Sequence, residues 1–192
     1  PGPGGAKTIK DLIADAKQRM DASFETVRKE LTAMRTGRAS LSMLDNIRVE
    51  YYGTPTPLSQ LGNLGVPDPT LITIQPWDAA LLPAIEKAIR TSDLDLNPQN
   101  DGKVIRIPVP QLTEERRKVL VKHAHKHAEE GRVAIRNVRR DVNDHLKKQM
   151  KEHAISEDDE KHALAEVQKL TDKHIEAIDD FLKKKEAEIM AV

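Results

Sequence analysis

The sequence predicts an α+β protein: an elongated three-helix bundle into which a small β/α/β domain is inserted through a two-stranded hinge. Three observations predict it. Apolar residues recur at steps of three and four along three long segments, and alternation by twos with frequent turn residues replaces that rhythm between 39 and 112. Each long segment also carries a single apolar stripe, so the helices must bury their stripes on one another.

The first helix runs from Thr8 to about Arg35, with Ile9, Ile13, Ala16, Met20, Phe24, Val27, Leu31 and Met34 as its seam. Gly37 then offers a helix stop or a permissive joint. Ile47, Val49 and Tyr51 alternate with Arg48 and Glu50 as a strand, which GTPTP at 53–57 interrupts. A second strand is expected at 71–74. Asp78 should cap a short helix reaching about Ser92, and 104–109 reads as a further strand, an edge one because of Pro108 and Pro110. Thr113, followed by Glu114 and Glu115, is a plausible N-cap for the second long helix, which runs to about Lys151. Ser156 with Asp159 resembles a capping box opening the third, whose stripe is Leu164, Val167, Leu170, Ile175, Ile178, Leu182 and Ile189. The domain boundaries that follow are 7–37 with 112–192 for the bundle and 38–111 for the insertion. The opening 1–6 reads as an expression remnant or disordered tail. Thr36, Gly37, Arg38, Gln111 and Leu112 form the hinge.

Charge is balanced, with 31 basic and 31 acidic side chains, so affinity for a polyanion must come from local arrangement. Residues 39–112 carry five basic and eight acidic groups, leaving the remainder at +3. There is no cysteine, which removes disulfides and thiolate chemistry and is compatible with a reducing cytoplasm. No apolar run is long enough to span a membrane.

The cation arrangement lies at 131–144, GRVAIRNVRRDVND. Gly131, Ile135, Val138, Val142 and Leu146 form the stripe to be buried, and Arg132, Arg136 and Arg139 repeat it one position later. Arg132 has Glu129 three residues back, and Arg140 has Asp144 four residues on. Arg136 and Arg139 have no carboxylate at three or four residues in either direction. Stacked like charges destabilise a helix unless something outside compensates. A polyanion bound by planar guanidinium forks fits, although a carboxylate on a neighbouring helix stays open.

His123, His125 and His127 do not converge as three ligands on one helix, so no metal site is assigned, and Glu157, Asp158, Asp159 and Glu160 are expected to favour a helix N-terminus. Tyr51, Tyr52 and Trp77 are expected in the core and rim of the insertion. No catalytic residues and no cofactor are expected, since phosphate loop, nucleophile elbow and zinc spacing are all missing. A helical scaffold and a hydrolase hidden in the insertion remain open on the residues alone.

Several blocks in fixed order resemble the bacterial-type ribosome recycling factor family: RTGRAS at 35–40, LD at 44–45, VEYYGTPTPL at 49–58, AIEKAI at 84–89, SDL at 92–94, NP at 97–98, IR at 105–106, LTEERRK at 112–118 and 133–141 with RNVRR at its centre. The resemblance implies a roughly L-shaped molecule, a monomer off the ribosome and without catalytic centre. Its implied partners are the large ribosomal subunit, through 23S-type ribosomal RNA, and elongation factor G with GTP. The implied action is to split the post-termination ribosome. Carried over, the RNA-binding residues are Arg132, Arg136, Arg139 and Arg140, with Arg35 and Arg38 near the hinge.

Overall fold

The computed structural model of the protein describes residues 7–191. The expected remnant or tail, 1–6, lies outside them. In chain order the elements are α1 (Ile9–Thr32), β1 (Arg48–Tyr51), β2 (Thr54–Pro57), β3 (Gly62–Asp68), β4 (Leu71–Pro76), α2 (Leu82–Arg90), β5 (Gln99–Asn100), β6 (Ile105–Pro108), α3 (Glu114–Lys151) and α4 (Glu157–Met190).

The second and third long helices start where the sequence places their caps, and the first starts beside the expected Thr8. Thr8 and Asp11 cap α1 reciprocally, at 3.1 and 3.2 Å. The Arg116 amide donates to Oγ1 of Thr113, and Ser156 and Asp159 form the reciprocal box at α4. Between α3 and α4, His153 takes φ 60°, the amide of Ala154 reaches the Gln149 carbonyl and that of His153 reaches Met150. This is a Schellman closure, which satisfies the last carbonyls of α3.

Packing divides the chain into two units. One holds the segment up to Glu30 with Ala124–Lys184; the other holds Leu31–His123 with the segment from Lys185 on. The expected boundaries at 37/38 and 111/112 lie in the connectors that follow α1 and precede α3, whereas the division by packing falls inside the three long helices.

In the first unit α3 buries Ala124, Ala128, Ile135, Val138, Val142 and Leu146, as its rhythm requires. The other two seams are met in part. On α1 the expected Ala16, Met20, Val27 and Leu31 are buried, but Leu12 takes the place of Ile9 and Ile13, which sit at the flank; α4 buries the expected Val167, Ile178 and Leu182, with Ala163, Thr171 and His174 in place of Leu164, Leu170 and Ile175. Polar residues occupy stripe positions because their own helix satisfies them: Oγ1 of Thr171 donates to the Val167 carbonyl at 2.8 Å, and Nδ1 of His174 lies 2.7 Å from that of Leu170. Gly131 lies where α3 packs tightly against Val27 of α1 and Ile178 of α4. A Cβ there would stand 2.2 Å from Cγ2 of Val27 and 3.2 Å from Cδ1 of Ile178.

The second unit contains a two-stranded antiparallel sheet, β1-β2, and a four-stranded antiparallel sheet in the order β3-β4-β6-β5. Its core joins Met43, Leu44, Val49, Leu58, Ile72, Ile74, Ile85, Ile89, Ile105, Ile107 and Val109. Three strands differ from the sequence reading. Of the residues taken as an interruption, 53–57, Thr54–Pro57 pair with β1 as β2 after a type I′ turn with φ 50° at Tyr52 and 77° at Gly53. Prolines are tolerated there because both strands are edges. β3, GNLGVPD, carries no alternation at all, and its pairing with β4 rests on backbone. β6 lies between β4 and β5 and is not an edge throughout; β5 covers only Ile105 and Arg106, which leaves Pro108 paired on one side.

The aromatic residues also depart from expectation. Tyr51 packs on the core, but Tyr52 is 89% and Trp77 67% exposed. The left-handed backbone at Tyr52 turns its ring outward against Tyr51, at 4.5 Å between centroids.

Candidate nucleic-acid interface

Buried Ile135, Val138 and Val142 fix the roll of α3, which leaves the arginines beside the seam and along the solvent boundary. Their environments differ from one end of the row to the other.

Arg132 is largely enclosed, its side chain 17% exposed. It donates to Asp179 of α4 at 2.6 Å and to Glu129 at 3.0 Å. Burial works against its charge, but the two carboxylates outweigh it and leave the guanidinium more firmly protonated than usual. Arg136 corrects an expectation: it does find a carboxylate on its own helix, Glu129, at 3.1 Å. Seven residues fall only about 20° short of two full turns, so two long side chains can meet along one face although no residue at three or four suffices. Glu129 is thus shared, its carboxyl held below the usual range by Arg136 first and Arg132 second.

Arg139 is half-buried and, among the described residues, has no carboxylate partner. Arg140 is exposed and donates to Oδ1 of Asn137 at 3.3 Å, not to Asp144. Outward from Arg132 the row therefore passes from a guanidinium with two carboxylates, through one sharing an exposed carboxylate, to two with none.

The residues near the joint divide similarly. Arg38 is exposed. Arg35 is 7% exposed, and its guanidinium donates to the carbonyl of Pro110, tying the two connectors together. Burial first, then the neighbouring Arg116, lowers its pKa. α1 already ends at Thr32, and no positive φ accompanies Gly37, so the helix-stop reading of this glycine fails. A Cβ on it would meet only the Ala191 carbonyl at an ordinary 3.6 Å. Oγ1 of Thr36 donates to the Arg38 carbonyl, Gln111 is exposed and Leu112 is buried. Sequence reasoning missed the counter-charge supplied by Asp179, 47 residues away on another helix.

A cavity of about 270 Å³ in the second unit is lined by Asn46, Arg48, Thr91, Ser92 and Asp93 among others. Asp93 is the sole carboxylate in its lining and no histidine joins it, which is not the paired acid and base that hydrolysis needs. Among the described residues no helix is long and apolar enough to cross a membrane.

Comparison with known proteins agrees with this arrangement. The family model for ribosome recycling factor matches residues 27–190. The ribosome-recycling factor of Syntrophomonas wolfei is 55% identical over 184 residues, covering 96% of this chain and all of the relative. A solution structure of the ribosome recycling factor superposes with TM-score 0.80 at 45% identity, covering 98% of this chain and all of that one. A second solved chain is similar at TM-score 0.67 and 49% identity, with 96% and 100% coverage. It comes from models of the T. thermophilus ribosome recycling factor and the E. coli elongation factor G bound to the E. coli post-termination complex. A bundle with an α+β insertion, an arginine row on its second long helix and near-complete coverage by such relatives agree: the chain belongs to the ribosome recycling factor family.

Proposed function

We propose that this chain is a cytoplasmic translation factor, not an enzyme, that binds the post-termination ribosome and, with elongation factor G and GTP, splits it into subunits for reuse. Arg139 and Arg140 meet phosphates or base edges of large-subunit ribosomal RNA directly, and Arg136 joins them by giving up its share of Glu129. Arg132 holds the α3–α4 geometry beneath them, and Arg38 adds a contact from the joint. Arg35 acts as the strap between connectors 36–38 and 111–112. Movement of residues 38–111 about those connectors transmits the push of the partner GTPase. The observation that carries the RNA contact is Arg139, a half-buried guanidinium without counter-charge among the described residues, one turn from a second cation in Arg136.

The test is co-sedimentation with large ribosomal subunits across a salt series. Binding should fall as salt rises, and Arg136→Glu with Arg139→Glu should weaken it about tenfold or more at moderate salt through lost counterion release. Unchanged binding would refute the anchoring. A disulfide engineered across the joint should leave binding intact and stop splitting; full splitting in the locked protein would remove the hinge from the mechanism.

A further inference from the structure

Three ligating side chains outside the arginine row converge in the first unit. Glu30, in the last turn of α1, faces His127 and Glu130 of α3, and one ligand atom from each falls within 4.8 Å of the other two. His127 and Glu130 are three residues apart, so they share a face of the helix. The spacing of α3 does not disclose this cluster, because α1 brings one of its carboxylates.

The geometry at His127 is that of a ligand more than of a hydrogen-bond donor. Nδ1 lies 2.8 Å from Oε2 of Glu30, yet this solvent-shielded nitrogen makes no aligned hydrogen bond. In an N–H···O bond the nitrogen aims at the oxygen. In a metal site both aim at a third point. With bonds of about 2.1 Å to a common ion, a 2.8 Å separation subtends about 84°, narrower than the tetrahedral angle, so the site suits an ion whose coordination is expanded by water ligands, or Glu30 must draw back by about 0.6 Å to reach tetrahedral spacing. Glu130 is exposed and can adjust its rotamer to close on that point, while Glu30 and His127 are each about one-third exposed, which leaves an entry path and room for water ligands.

We propose that Glu30, His127 and Glu130 bind one divalent transition-metal ion of the zinc class. Two carboxylates cancel the ion's charge, and the imidazole selects against magnesium and calcium, which prefer oxygen. The ion pins the last turn of α1 to α3 and stabilises the folded chain by binding it in preference to the unfolded one.

Calorimetric titration of the full chain with zinc, with magnesium as control, tests this. One zinc per chain is expected, with a rise in Tm on binding. His127→Gln should weaken binding about tenfold or more and Glu130→Gln should also weaken it, while His123→Ala with His125→Ala should leave it unchanged. Circular dichroism checks the fold of each variant. If His127→Gln misfolds, the exposed Glu130→Gln decides alone. Failure to bind zinc, binding that survives both His127→Gln and Glu130→Gln, or loss in the His123 and His125 variant would overturn the site; the first would leave an ordinary histidine–glutamate pair.

Discussion

The two units bury apolar surface with different tolerances. In the first, a close approach is made to side chains of other helices, as where Gly131 meets Val27 and Ile178. In the second they involve backbone, as where Gly62 of β3 lies against β4. A Cβ on Gly62 would stand 2.4 Å from the Gln75 carbonyl oxygen and 2.7 Å from Cα of Pro76. Side chains yield by changing rotamer, but a paired strand cannot yield without losing register. A helical unit should therefore absorb small errors of volume that the sheet unit does not.

Gly62→Ala makes the sharpest break, with an expected loss of about 3 kcal/mol, at the upper end for overpacking. The single tryptophan lies next to Pro76 and its amide donates to the Leu61 carbonyl, so its fluorescence during urea unfolding reports this strand pair directly. Gly131→Ala should cost less, about 1–2 kcal/mol, since the overlap with Val27 is offset in part by the better helix propensity of alanine. Adding Val27→Ala should recover part of that loss, a positive coupling readable in a double-mutant cycle. If Gly131→Ala proved the more damaging of the two, the distinction between yielding and unyielding contacts would be wrong.

Removing a cap probes the helical unit more gently. Ser156→Ala should cost about 1 kcal/mol, because it frees the Asp159 amide and half of the reciprocal pair. Hydrogen exchange should show the loss in the first turn of α4 and not in the sheet.

Acid should separate the units by which carboxylate is removed. Asp101 sits well below the ordinary carboxylate range, held there by Arg106 first and then by the amides of Val104 and Lys103. Asp21 is lowered by His174 and then Lys17. A carboxyl depressed in the folded state stabilises above its unfolded value and loses that contribution as the pH falls through the folded one. Both contributions are therefore complete above about pH 4 and fade below it. Asp101→Asn should flatten the acid limb in tryptophan fluorescence, and Asp21→Asn should flatten it in helical circular dichroism; the reverse assignment would break the separation.

What could be read in advance follows the same division. The caps at Thr113 and Ser156 and the stripe of α3 were legible, because cap and stripe are local in sequence. The seam of α4 was legible only at Val167, Ile178, Leu182 and Ile189; Thr171 and His174 look polar until the carbonyls one turn back and Asp21 are seen to satisfy them. β3 was invisible for a different reason. Its glycines and proline carry no propensity, and the backbone of β4 makes it a strand. In the candidate interface the spacing of the arginines was legible, but which of them is spent on structure depended on Asp179 and on a carboxylate seven residues distant.

The smallest expected effect on folding tests that last point. Arg132 and Arg139 are chemically identical, share one helix and differ in partners: two carboxylates for the first, none among the described residues for the second. Arg139→Gln should therefore change stability by less than about 0.5 kcal/mol, as surface changes without a partner do. Arg132→Gln should destabilise measurably, because it removes the charge-assisted hydrogen bonds that an enclosed guanidinium makes to Asp179 and Glu129. On the ribosome the order should invert. Loss of Arg139 should lower the salt dependence of subunit binding by about one unit of log–log slope, as for one phosphate contact. Loss of Arg132 should leave the slope unchanged and act only through the fold. Equal slopes for the two variants would mean that counter-charge inside the bundle does not decide which guanidinium is available to RNA.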